Sequence, residues 1–167
     1  MKKLITMSIF GAALIFGFSA NAQQGTFRVQ AGGILGTEAA ADGVGFGINA
    51  GVEYYVSDAI SIAPSYDFFF EDEPAAGFTY KISSINVDGR YYMSESFYVL
   101  AGVSLATAEI TLDFLGTPIT GKANSTGANV GAGYNLAMGE SALLNLQAKY
   151  NTTLAQVQAG VGIAFSF

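Results

Sequence analysis

The sequence predicts an all-β fold, an eight-stranded antiparallel up-and-down transmembrane β-barrel, and three observations predict it. The first is the unbroken alternation of residues 156–167. Val157, Ala159, Val161, Ile163, Phe165 and Phe167 fall on one side, and Gln156, Gln158, Gly160, Gly162, Ala164 and Ser166 on the other. A period of two sets these groups on opposite faces of a strand, one apolar and aromatic, the other small and polar. The second is a shortage of charge, only 12% of residues, alongside a mean hydropathy of +0.39. Soluble domains devote about a quarter of their residues to charge, whereas a barrel with its outer face in lipid has no need of it. The third is a repeated short turn: Val56-Ser57-Asp58-Ala59, Met93-Ser94-Glu95-Ser96 and Met138-Gly139-Glu140-Ser141 each separate alternating runs, with starts 37 and 45 residues apart. That spacing holds two strands and one longer connection, which makes a hairpin repeat.

In chain order, residues 1–22 read as a cleaved secretory signal: Lys2 and Lys3, an apolar run over 4–18, and Ala20-Asn21-Ala22 as the cleavage site. The apolar run is short for a membrane-spanning helix. Residues 23–167 then form one barrel domain. Its strands are expected at 26–36, 45–56, 59–70, 78–92, 97–109, 124–137, 142–151 and 155–167. The second opposes Phe46, Ile48, Ala50, Val52, Tyr54 and Val56 to Gly45, Gly47, Asn49, Gly51, Glu53 and Tyr55, and the seventh opposes Leu144, Leu146, Ala148 and Tyr150 to Asn145, Gln147, Lys149 and Asn151. The fourth breaks phase at Ser83-Ser84, between Ile82 and Ile85, where a β-bulge would restore both faces. Longer connections are expected at 37–44, 71–77 and 110–123, with a short one at 151–154. Short turns at one end and long loops at the other match a barrel whose short end faces the periplasm.

Alternating strand direction sets the height of each aromatic residue. Phe27, Tyr54, Phe97, Tyr134, Phe165 and Phe167 come out at the short-turn end, and Phe46, Phe68, Phe70, Phe78 and Tyr150 at the loop end. Two aromatic girdles are what two membrane interfaces call for. A soluble lipocalin-like ligand-binding barrel would alternate as well, with its apolar face inward. Its surface would then be mostly Gly, Asn, Ser, Gln and Ala, with little charge to keep it dissolved.

On this patterning, on Phe97-Tyr98-Val99-Leu100-Ala101-Gly102-Val103 and on the ending Val161-Gly162-Ile163-Ala164-Phe165-Ser166-Phe167, the chain resembles the small eight-stranded outer-membrane β-barrel family, often filed as porin-like, which includes outer membrane protein X and the barrel domain of outer membrane protein A. The resemblance spans residues 23–167. It implies a bacterial outer-membrane location, outer-membrane lipids as surroundings, a monomer, and a C-terminal strand in which Phe165 and Phe167 signal to the barrel-assembly machinery. Relatives of outer membrane protein A often add a peptidoglycan-binding domain, and the chain stops at the barrel, so no cell-wall tether is expected.

The residue inventory narrows function further. Enzymes on this scaffold resemble His/Ser/Glu or His/Ser arrangements, and a serine nucleophile needs a base to take its proton. The sequence has no histidine and no cysteine, so no enzyme, no thiolate chemistry and no disulfide is expected. Removing Lys2 and Lys3 with the signal leaves five basic residues against thirteen acidic, a net of −8, which speaks against a nucleic-acid partner. Arg28, Glu53, Asp67, Asp88, Arg90 and Lys149 all fall on the small polar face. Charges inside a narrow barrel must pair, so Glu53, Asp67 and Asp88 are expected opposite Arg28, Arg90 and Lys149. The glycines recur at even spacings inside strands, as small inward residues rather than a nucleotide loop. Glu71-Asp72-Glu73-Pro74 reads as a solvated loop, and no cofactor or metal is expected. The resulting expectation is a structural or surface-interaction role with the interior plugged by side chains. The alternatives are a narrow channel for small solutes or ions, and the soluble ligand-binding barrel.

Overall fold

The computed structural model describes residues 24–37, 43–75, 77–114 and 117–167. The signal expected at 1–22 and most of the first long connection lie outside the described residues. Among the described residues nine strands follow one another: β1 Phe27–Thr37, β2 Val44–Tyr55, β3 Ile60–Phe69, β4 Asp72–Ala75, β5 Phe78–Tyr92, β6 Phe97–Phe114, β7 Thr117–Ala137, β8 Ala142–Asn151 and β9 Gln156–Ser166. Eight of them close a barrel, every neighbour antiparallel. β1 is flanked by β2 (Arg28 opposite Glu53) and by β9 (Val29 opposite Phe165), and β3 pairs with β5 (Ser61 opposite Arg90). β4 is an addition, hydrogen-bonded to β5 alone.

The three short turns share one chemistry as well as one spacing. In each, the first residue's N–H donates to the carbonyl four residues on: Val56 to Ile60 at 3.0 Å, Met93 to Phe97 at 2.9 Å and Met138 to Ala142 at 2.9 Å. Ser57 and Ser94 accept from the N–H of Ile60 and Phe97 through their hydroxyls. At the C-terminus, Phe167 and Phe27 exchange both backbone bonds, at 2.8 and 3.3 Å, so the last residue is stitched to the first strand.

The barrel is inside out relative to a soluble one. Gln30, Glu53, Asp67, Asn86, Asp88, Arg90, Asn129 and Lys149 are buried, while Ile48, Ile62, Val87, Val103, Val130, Val161 and Ile163 are exposed on the outer wall. This arrangement requires a non-aqueous surround. Of the expected girdle residues, Phe27, Tyr54, Tyr134, Phe165 and Phe167 are exposed at the short-turn end and Phe46, Phe70 and Tyr150 at the loop end. Phe78 departs from the girdle: it shares the parity of Ile82, which is inward and 1% exposed.

Three sequence expectations are corrected. No bulge interrupts the fourth barrel strand, because the β5 pairings with β3 and β6 run in constant register through Ser83 and Ser84. Ile82 points in and Ile85 points out, and the change of phase is a change of surroundings rather than of backbone. The connection expected at 110–123 is a hairpin in which β6 and β7 pair out to Phe114 opposite Thr117. The connection at 71–77 contains β4. Both corrections reflect a sheet that continues past the barrel rim, where alternation no longer sorts lipid from lumen.

Candidate functional site: a filled interior under a protruding sheet

The interior is built in layers. Nearest the short turns, Tyr55, Tyr92, Tyr98 and Leu100 form a buried apolar floor, with Tyr92 centred 5.2 Å from both Tyr55 and Tyr98. The Arg28 guanidinium lies 4.6 Å over the Tyr55 ring and that of Arg90 4.8 Å over Tyr98, so each cation has a ring face as well as a carboxylate. Glu53 is the shared acceptor. It takes Arg90 Nη1 at 3.1 Å and the Tyr92 hydroxyl at 2.7 Å, lies 3.8 Å from Arg28, and accepts from Ser61. Arg90 also donates to Gln30 at 3.3 Å and Gln147 at 3.2 Å.

Above this, Asp67 receives Lys149 Nζ at 3.0 Å and the Asn86 amide at 3.0 Å, together with Asn49. The Asn129 amide bridges Asn86 at 3.0 Å and Asp88 at 2.9 Å. The pairing is therefore not one to one: Glu53 holds both arginines, Asp67 holds Lys149, and Asp88 is met by an amide. Satisfying every charge with short, charge-assisted bonds is what burial at this depth demands. A cavity of about 30 Å³ remains beside Gln30, Asn49, Lys149 and Gln158. It is far below the roughly 300 Å³ at which drug-sized ligand sites begin.

Toward the loop end, Phe69 and Ile82 are packed by Ile34, Tyr80 and Leu154 into an apolar ceiling. Gly36 is what lets them meet, since a Cβ there would lie 2.8 Å from the Phe69 ring and 2.4 Å from the Gln156 amide. Sequence reasoning had set Tyr55 on the inward face but passed over Tyr92, Tyr98, Phe69 and Ile82. For Tyr92, Ile82 and Phe69 the signal was parity with Asp88, Arg90 and Asp67, and Tyr98 stands opposite Tyr92 in the register.

Outside the barrel, β4 to β7 form a protruding sheet, and its two faces exchange character. On the outward face, the row Ile85, Leu105, Thr126 is followed by Ser83, Thr107, Asn124, then by Lys81, Glu109, Lys122, then by Thr79, Thr111, Thr120. Side chains bond across neighbouring strands within these rows, Lys122 to Glu109 at 2.7 Å, Thr107 to Asn124 at 2.9 Å and Thr111 to Thr120 at 3.0 Å, and Lys81 reaches Glu71 at 3.2 Å. The bond from Lys122 holds the partly exposed Glu109 carboxyl below the usual carboxylate range. On the inner face stand Tyr80, Ile110, Leu112 and Ile119, the last three well exposed. Phe165 and Phe167 lie on the outer wall at the short-turn rim, 48% and 79% exposed.

Known structures share this frame. The attachment invasion locus protein Ail of Yersinia pestis superposes with a TM-score of 0.64 at 12% identity, covering 86% of this chain and 99% of that one. Neisserial surface protein A gives 0.59 at 19%, covering 86% and 100%, and the N-terminal β-barrel domain of Pseudomonas aeruginosa OprF gives 0.56 at 21%, covering 88% and 100%. No curated protein matches the sequence. The model of the outer membrane protein beta-barrel domain matches residues 10–166. Fold, inverted polarity and this match agree, and the chain belongs to the outer membrane protein beta-barrel domain family.

Proposed function

We propose that this protein is integral to the bacterial outer membrane, is exported with residues 1–22 as a cleaved signal, and serves the envelope structurally or through contacts made by its protruding sheet. The observation that carries this reading is the filled lumen. A tyrosine floor and an apolar ceiling bracket a polar section whose charges are met within the chain. Eight strands leave an interior just wide enough for side chains, and here side chains occupy it. In this reading the protein is monomeric and has no enzymatic, cofactor or nucleic-acid site. Phe165 and Phe167 present the C-terminal strand to the assembly machinery. The names of two structural relatives, one for attachment and one for the cell surface, favour the contact role.

The test has two steps. Boiled and unboiled outer-membrane fractions are compared on gels, where a closed barrel shifts on boiling. Refolded protein is then placed in planar bilayers, where this reading expects no discrete conductance. Stepwise currents that change in Glu53→Gln or Arg90→Gln would replace it with the narrow channel.

A further inference from the structure

We propose that the seam between β2 and β3 is a built-in weak point of the barrel wall, where the two strands part locally at Pro64 while the rest of the barrel stays closed. Only the scarcity of outside hydrogen-bond donors rests on the membrane reading above; the gap itself follows from the strand register.

Pro64 stands on the outer wall in the middle of β3, a strand with β2 on one side and β5 on the other. Proline has no N–H, so within sheets it is confined to edges, strand starts and bulges, and a closed barrel has no edge. The register shows which neighbour loses the bond. Val56 N–H donates to the Ile60 carbonyl at 3.0 Å and Phe70 N–H to the Phe46 carbonyl at 2.8 Å. The bonding pairs of this seam therefore fall on every second residue, and Val52 opposite Pro64 is one of them. Pairing runs in constant register as far as Gly51 opposite Ser65, lapses, and resumes at Tyr54 opposite Ile62. The Val52 carbonyl is thus left without its ladder donor, and no bulge accommodates the proline. On the β5 side nothing is lost: Tyr92 N–H donates to the Ala59 carbonyl at 2.8 Å, so the bonding pairs there include Ala63 opposite Asp88 and skip Pro64. Among the described residues every other seam of the barrel pairs without a gap.

The surroundings weaken the same place and also confine it. The residues next to Val52 and Pro64 are Gly51, Ala63 and Ser65, too small for cross-strand packing to add much. Toward the short turns Ser61 donates to Glu53, and toward the loops Asn49 donates to Asp67. These two bonds cross the seam inside the lumen and bracket the gap, so an opening is limited to the residues between them. Hydrocarbon offers the Val52 carbonyl no donor, and Gly51 beside it has no side chain to supply one. An unmet carbonyl raises the free energy of the closed state, and part of that cost is recovered when the strands part and water reaches it. Opening is therefore favoured here over any seam whose ladder is complete.

The test is amide hydrogen exchange, read by NMR, of the refolded barrel in phosphatidylcholine nanodiscs; heat-shifted migration of the same sample checks the membrane reading separately. The amides of Val52, Tyr54 and Ile62 face across the β2–β3 seam, and those of Asn145 and Gly162 face across the complete β8–β9 seam. In the wild type the first set is expected to be protected about tenfold less than the second. Pro64→Val restores the donor and is expected to raise protection of Val52, Tyr54 and Ile62 about fivefold, the worth of one net hydrogen bond. Ala63 and Asp88, bonded across β3–β5, should keep their values, whereas a general gain in strand propensity would protect both sets. Pro64→Ala supplies the same N–H with a poorer strand former and should reproduce the effect. Equal protection of the two seams in the wild type overturns the proposal. So does a Pro64→Val barrel in which Val52, Tyr54 and Ile62 are unchanged, or in which Ala63 and Asp88 gain as much as they do.

Discussion

At the scale of single residues, the interior shows how little freedom a narrow barrel leaves. Glu53 is 2% exposed and is the carboxylate shared by Arg28 and Arg90. Glu53→Ala would leave Arg90, also 2% exposed, beside tyrosine rings and neutral amides. Removing one partner of a buried ion pair costs about 3 to 5 kcal/mol, and urea unfolding of the vesicle-embedded barrel should show a loss of that order. Lys122→Ala, breaking a solvent-screened pair at the surface, should leave it nearly unchanged. Equal effects would mean that the lumen is hydrated enough to screen Arg90. The glycines make a parallel contrast. A Cβ on Gly102 would lie 2.3 Å from both the Val87 carbonyl and an Asp88 carboxylate oxygen, whereas one on Gly33 meets nothing nearer than 4.0 Å. Gly102→Ala should cost about 1 to 3 kcal/mol by overpacking. Gly33→Ala, on the lipid wall, should be close to neutral in the same assay.

At the scale of elements, β6 and β7 are each two structures in series. Their lower parts close the barrel, and their upper parts, beyond Ala108 opposite Ala123, belong to the protruding sheet. Replacing residues 110–121 with a tight turn should therefore leave the boiling-dependent gel shift and unfolding midpoint of the barrel nearly unchanged. It would also remove the exposed side chains of Ile110, Leu112 and Ile119. A barrel that no longer assembles after this excision would show that the hairpin nucleates β6 and β7 pairing. The division also explains what the sequence made legible. Eight strands, three turns and the inward parity of Arg28, Glu53, Asp67, Asp88, Arg90 and Lys149 follow from a period of two, because lipid and lumen impose opposite polarity on adjacent residues. Above the rim that contrast vanishes. Pro118, Gly121 and a run of small polar residues then look like a loop although the backbone remains a paired strand. Ser83-Ser84 looked like a bulge for the same reason: Ser83 is outward but begins the polar rows, and Ile82 is inward but belongs to the apolar ceiling. Tyr92 and Tyr98 were missed because aromatic residues were assigned to membrane interfaces, whereas their place beside Arg90 and Leu100 sets them in the lumen.

At the scale of the whole molecule, the height of the apolar wall decides which bilayer suits the protein. On β1 the outward residues run from Phe27 through Val29, Ala31 and Gly33 to Leu35, and on β5 the apolar positions stop at Ile85, whereas on β2 they continue to Phe46 and Val44, so the wall is uneven and is lowest on the β5 side. Nine residues of strand span about 26 Å along the chain and about 20 Å along the normal when tilted near 40°. An ordinary bilayer has a hydrocarbon core of about 30 Å. The interior offers no relief from this mismatch. Its ion pairs and packed rings fix the strands relative to one another, so the barrel cannot shear to a taller form, and the lipid must thin around it at a modest cost per ångström. Refolding from urea into vesicles of short-chain phosphatidylcholine should accordingly give a higher yield of the heat-shifted band than refolding into dioleoyl vesicles. Moving the boundary upward by Ser83→Leu with Thr107→Leu should narrow the gap, because it extends the apolar wall by one row on two adjacent strands. Equal yields in both lipids, or no response to the double substitution, would mean that the wall continues above Ile85 and Leu105 and that the polar rows of the protruding sheet do not mark the edge of the membrane.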